Sequence, residues 1–193
     1  MILKVNHKQQ VNDGYNWKCG VVSLDMVFDY YDIPFDSEEA WECVRSPRPG
    51  STDQYYALTS DLAKYSIEKG LIATIYKGTP ETCLKLLEML SNKDTPAILS
   101  LMQKKSKQSH FVVFIGCDHD TYCFCDPDES KNFNRFIETD VCDFWKPHLA
   151  IGVTGYILIV FGQFEEETID CPYCNRPIPL VHSELKATTQ GCI

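Results

Sequence analysis

Cys19 stands directly ahead of an apolar pattern of helical period: Val22, Met26 and Tyr30 lie four apart, with Val27 beside them. The run Tyr15-Asn16-Trp17-Lys18-Cys19-Gly20-Val21-Val22 thus leads a loop into a cysteine at or just before the first turn of a buried helix. At a helix start, unpaired N–H groups and the positive end of the peptide dipole favour a thiolate and can donate to an oxyanion. A cysteine so placed suits nucleophilic attack, provided a base and an orienting group complete the set. Cysteines are also among the most buried residue types, and the chain has ten, so the case for Cys19 depends on its partners.

A thiol nucleophile needs an imidazole within hydrogen-bond reach, and the imidazole needs a third group to fix its tautomer. Of five histidines, His7 lies in an N-terminal arm, His119 in a hairpin turn, His148 after a proline and His182 in the tail. His110 opens an apolar strand, where a polar residue is costly unless it is paired. Asp126 follows sixteen residues later, at the end of the returning strand. In a hairpin centred on Asp118-His119, the start of one strand lies beside the end of the next, so spacing alone can set Asp126 against His110. The alternative is a satisfied core histidine and an ordinary Asp-Pro turn opener.

The Cys19-Gly20 pair at a helix start, the strand His110-Phe111-Val112-Val113-Phe114 and the later Asp126-Pro127 together resemble the papain-like cysteine peptidases. Within that superfamily they resemble the bacteriocin-processing, double-glycine peptidases. More narrowly, the chain is similar to a small family of guanylyl cyclase domain-containing proteins. Those share a Gln-Gln, an aromatic residue before x-Cys-Gly, an apolar helix with methionine and a His-Phe-(Ile/Val)-Val strand. The resemblance covers roughly residues 5–161.

What the resemblance implies is a papain-like fold and a thiol peptidase or amidase that forms an acyl-enzyme thioester. Cys19 would be the nucleophile, His110 the base and then the acid, and Asp126 the orienting carboxylate. The substrate would be a peptide or protein, and no cofactor would be required for catalysis. A glutamine oxyanion donor is implied as well. Gln10 fills that place, although it lies nine residues before Cys19, a longer gap than usual. An insertion at Val11-Asn12-Asp13-Gly14 accounts for the length, with Asn16 and Gln9 as alternative donors. Two other classes stay open. One is a nucleotide cyclase, although the chain has no P-loop and no basic glycine-rich turn for a triphosphate, and Asp126-Pro127-Asp128-Glu129 is either a metal site or a solvated loop end. The other is an inactive relative that binds peptide in the same cleft.

The elements that must position these residues read as follows. A helix over 19–31 ends before Ile33-Pro34, and a second begins with Ser37 as its cap. Ser46 to Ser51 reads as a loop, followed by a helix from Thr59 to Gly70 and a strand from Leu71 to Tyr76. Thr79-Pro80 opens a helix with an apolar stripe of Cys83, Leu84, Leu87 and Leu90. Strands are expected over 96–101, 110–116, 121–125 and 155–161, with a helix near 139–145. The order implies an α+β fold, an N-terminal nucleophile helix packed on a C-terminal antiparallel sheet.

The chain has 193 residues, enough for a real core, and divides into a catalytic domain over 1–162 and a linker with tail over 163–193. A net charge of −9 and the lack of a basic patch argue against nucleic-acid binding. No signal-like or membrane-length apolar run occurs, so membrane association is not expected, a cytoplasmic location is, and the cysteines should be mostly reduced. The composition does not fix the oligomeric state. In the tail, Cys171-Pro172-Tyr173-Cys174 resembles one zinc knuckle, for which His182 and Cys192 could complete four ligands. A redox pair and two free cysteines are the alternatives.

Overall fold

A computed structural model describes residues 2–11, 16–48, 50, 52–103, 107–129, 133–148, 153–163, 168–170 and 177–179. The described helices are α1 (Cys19–Tyr30), α2 (Ser37–Val44), α3 (Thr59–Glu68), α4 (Pro80–Asn92) and α5 (Glu138–Trp145). The strands are β1 (Asn16–Trp17), β2 (Arg45–Pro47), β3 (Tyr55–Ala57), β4 (Ile72–Lys77), β5 (Ala97–Met102), β6 (Ser109–Asp118), β7 (Thr121–Cys125), β8 (Asn134–Ile137), β9 (Ile157–Gly162), β10 (Thr168–Asp170) and β11 (Pro177–Pro179). The main sheet runs β4-β9-β5-β6-β7-β8 and every neighbouring pair in it is antiparallel.

Period-two alternation sends the residues of this sheet into two cores. Ile98, Phe111, Val113, Ile115, Ile159 and Phe161 pack with α1, α2 and α3 on one face. Ala97, Leu99, Val112, Phe114, Leu158 and Val160 pack with α4 and α5 on the other. Because both faces are covered, β6 is apolar along its middle rather than alternating with polar residues. A bulge at Ile115 breaks the β6–β7 register, since Phe114 faces Phe124 but Gly116 faces Cys123. The N-terminal arm docks there, with the Leu3 N–H donating to the Ile115 carbonyl at 2.7 Å.

Helix starts follow local chemistry. Thr79 caps α4 through a capping box with Thr82, and Pro80 takes the first helical position. The expected cap of α2 is corrected: the carboxylate of Asp36 accepts from the Glu38 and Glu39 N–H groups, and Ser37 is the first helical residue. The expected loop from Ser46 is corrected too, because β2 pairs with β3, and β3 pairs in parallel with β1 just before α1. The expected strand from Leu71 to Tyr76 is β4, which comes between α3 and α4. No described helix is long and apolar enough to cross a membrane.

Candidate active site

Cys19 is the first residue of α1 and is buried. Its neighbour Gly20 explains how close the helix start comes to the sheet. A β-carbon on Gly20 would meet Leu62 at 3.0 Å, Phe111 at 3.2 Å and Ala57 at 3.3 Å. Phe111 is the residue next to His110, so the missing side chain lets the helix start settle beside His110. No side chain caps α1 and no acid occupies its first turn, whereas α2, α3, α4 and α5 each carry one there. The N–H groups of the first turn are left for an anion other than the protein's own carboxylates.

His110 is 4% exposed. Its Nε2–H donates to Asp126 Oδ1 at 2.6 Å, and the Cys19 side chain is near enough to act on the charge of its ring. Burial by itself works against a charged ring and is the strongest single influence on it. Cys19 and Asp126 together outweigh burial and hold the His110 pKa well above its ordinary 6.5. Asp126 is the mirror case. Burial favours its neutral form, but the hydrogen bond and charge of His110, the Asp128 N–H and His7 hold its pKa below the ordinary 3.8.

The loop after β7 is tied down from several sides. The Asp128 N–H donates to Asp126 Oδ1 at 2.9 Å, and the His7 Nε2–H donates to the Asp126 carbonyl at 2.9 Å. The Gln10 N–H donates to the Pro127 carbonyl at 2.9 Å. The Asp128 carboxylate accepts from the Gln10 and Gln103 side-chain amides, and its Oδ2 lies 3.9 Å from His110 Nδ1. The arm reaches this loop across α1, held by Lys8 to Asp25 at 2.6 Å and Asn6 to Asp29 at 2.7 Å.

The structure therefore brings Cys19, His110 and Asp126 together. It brings Gln10 to the same loop, where Asp128 holds the amide and Oε1 is buried without a partner among the described residues. Gln9 is exposed, and the side chain of Asn16 lies outside the described residues. So do Cys171, Cys174, His182 and Cys192, the residues read as a zinc knuckle. Among the described residues no group of three or more His, Cys, Asp or Glu could hold a metal. Asp126 and Asp128 are engaged with His110, Gln10 and Gln103 instead. Sequence reading missed His7 and Gln103, and it weighed Asp128 only as part of a metal site or a solvated loop end. Nothing in the local patterns of His7 and Gln103 marks them, because their bonds to Asp126 and Asp128 span 119 and 25 residues of chain.

Residues 2–147 match the sequence model of the Peptidase_C39 like family. No curated protein sequence matches the chain. Solved structures share the fold. The double-glycine-motif protease of an AMS/PCAT transporter, determined in complex with the leader peptide, is 23% identical at a TM-score of 0.59, covering 84% of this chain and 94% of that one. The peptidase domain of Streptococcus ComA, a bi-functional ABC transporter involved in a quorum-sensing pathway, is 16% identical at a TM-score of 0.61, covering 82% and 98%. A C39-like peptidase from Bacillus anthracis is 15% identical at a TM-score of 0.60, covering 84% and 97%. These comparisons give no support to the guanylyl cyclase label. The fold is the papain-like arrangement of the C39 peptidase domains, and the chain belongs to the Peptidase_C39 like family.

Proposed function

We propose that this protein is a cysteine peptidase that works through an acyl-enzyme thioester, with Cys19 as nucleophile, His110 as acid and base, and Asp126 as orienting carboxylate. The observation that carries the proposal is the buried His110 imidazole, hydrogen-bonded to Asp126 at 2.6 Å and near enough to Cys19 for the thiol to act on its charge. Donation to Asp126 uses Nε2, which leaves Nδ1 for the thiol.

In the first step the Cys19 thiolate attacks the scissile carbonyl and the charge moves to oxygen. The N–H groups at the start of α1, which no side chain caps, support a reading in which they receive it. Gln10 is our first candidate for a further donor, with Gln9 and Asn16 as alternatives. Protonated His110 then gives its proton to the departing amine, and the thioester forms. In the second step neutral His110 takes a proton from water, the hydroxide oxygen attacks the thioester, and the thiol leaves as thiolate with His110 again protonated. Asp126 stays ionised and keeps the ring in one tautomer. The substrate is a peptide or protein segment, in keeping with the leader peptide bound by the AMS/PCAT protease. The catalytic unit spans residues 1–162, and 163–193 form an appended segment.

Iodoacetamide labelling at neutral pH, read by peptide mass mapping, tests the reading. Exposed Cys43 is the internal reference. Burial pushes Cys83 and Cys117 up to about 11 and Cys125 up to about 12, so these stay protonated and slow. Cys19 should label well ahead of Cys43 and lose that lead in His110→Ala. Equal labelling of Cys19 and Cys43 in the wild type would sink the assignment, and a preference that survives His110→Ala would remove His110 from it.

A further inference from the structure

The small sheet β1-β3-β2 lies on the chain just before the nucleophile, and it presents cations stacked on aromatic rings. The Arg45 guanidinium lies 5.1 Å from the Tyr55 ring centre and that of Arg48 lies 4.2 Å from the Trp17 ring centre. The two arginines differ in one respect. Arg45 is neutralised by Glu42 at 2.7 Å. Arg48 has no carboxylate within ion-pair distance among the described residues, and its side chain donates only to a neutral amide, Gln54 Oε1, at 3.0 Å. Its backbone N–H is also fixed, to the Gln54 carbonyl at 2.8 Å.

Arg48 is thus a half-buried cation, held by stacking and by Gln54, in a chain whose net charge is −9. Its position relative to the site follows from connectivity. Trp17 is two residues before Cys19, so their α-carbons are at most about 7 Å apart. The far end of β3 supplies Ala57, which would meet a β-carbon on Gly20 at 3.3 Å. The platform is therefore built onto the start of α1. A planar guanidinium stacked on an indole is suited to receive a carboxylate in a fixed orientation, and stacking leaves its edge N–H groups available.

We propose that Arg48, presented on Trp17, is a specificity-determining residue that binds a carboxylate of the peptide substrate within a few residues of the scissile bond. This rests on the peptidase reading above. The carboxylate is either an acidic side chain or a free C-terminus.

The test is protection of Cys19 against iodoacetamide by short peptides. The probes are Ac-Gly-Gly-Xaa-Gly-Gly-NH2 with Xaa as Glu, Gln or Lys, and the Gln peptide with a free C-terminal carboxylate. Arg48 lies outside the catalytic set, so Arg48→Gln and Arg48→Glu should keep the wild-type rate of Cys19 labelling when no peptide is present. The expected result is half-protection by a carboxylate peptide at a concentration about fivefold below that of the neutral peptide. Arg48→Gln should remove that difference, and Arg48→Glu should make the Lys peptide the best protector. Protection by the Glu peptide assigns a side chain, and protection by the free-acid peptide assigns a C-terminus. Equal protection by all four peptides, no protection by any, or a carboxylate preference that persists in Arg48→Gln overturns the proposal. Failure of Cys19 to label selectively in the peptide-free wild type is a separate result, since it removes the peptidase reading itself.

Discussion

His7 and Asp126, 119 residues apart, meet through a 2.9 Å hydrogen bond from the imidazole Nε2–H to the backbone carbonyl of Asp126. The N-terminal arm is thereby a structural part of the site, because the residue it holds is the one that hydrogen-bonds His110. Removing this donor in His7→Ala should loosen Asp126 and slow Cys19 alkylation about fivefold, the size expected for one hydrogen bond. His7→Gln keeps an N–H donor and should recover part of the rate. Equal rates in wild type and His7→Ala would show that the arm does not position the carboxylate.

Asp126→Asn removes the charge that helps raise the His110 pKa. The His110 ring titration, followed by NMR of the imidazole protons, should move to lower pH in the variant. An unmoved titration would mean that Asp126 does not act on the ring.

The same pair makes stability depend on pH with a defined sign. The folded pKa of His110 is raised, so its contribution is complete below the unfolded value of about 6.5 and is lost as pH rises through the folded value. The folded pKa of Asp126 is lowered, so its contribution is present above about 3.9 and is lost as pH falls through the folded value. The melting-temperature gap between wild type and Asp126→Asn should therefore be widest between about pH 4 and 6.5 and narrow on both sides. Breaking a buried pair of this kind typically costs about 3 kcal/mol at the widest point. A gap that is flat with pH would contradict the linkage.

Gly20→Ala places a methyl group 3.0 Å from Leu62 and 3.2 Å from Phe111. Overpacking of this kind costs about 1–3 kcal/mol, and here it also pushes the start of α1 away from His110. Urea denaturation should show the loss of stability, and Cys19 should lose its labelling lead over Cys43. A variant that is destabilised yet keeps its lead would separate packing from site assembly.

Much of the fold was legible because local rules and burial agreed. The Thr79-Pro80 helix start, the stripe Cys83, Leu84, Leu87 and Leu90, and the strand from Thr121 to Cys125 occur where capping and periodicity put them. The meeting of His110 and Asp126 was legible because a hairpin converts sequence spacing into cross-strand neighbours. The bulge at Ile115 did not spoil it, since Val113 opposite Cys125 lies between the bulge and the site. The small sheet was not legible. β1 and β2 are two and three residues long, Pro47 reads as a loop former, and among the described residues β1 pairs in parallel with a strand nearly forty residues away. Nor were the Asp128 bonds to Gln10 and Gln103, which join exposed polar side chains that carry no periodic signal.

The bonds from the arm to the loop after β7 also set an order of assembly. Along a growing polypeptide the His110 imidazole follows Cys19 by 91 residues and the Asp126 carboxylate follows it by 107. Until residue 128 has left the ribosome, neither His7 nor Gln10 has its partner. During synthesis Cys19 thus emerges well before either partner, and the cluster of Cys19, His110 and Asp126 exists only once distant segments have closed on one another.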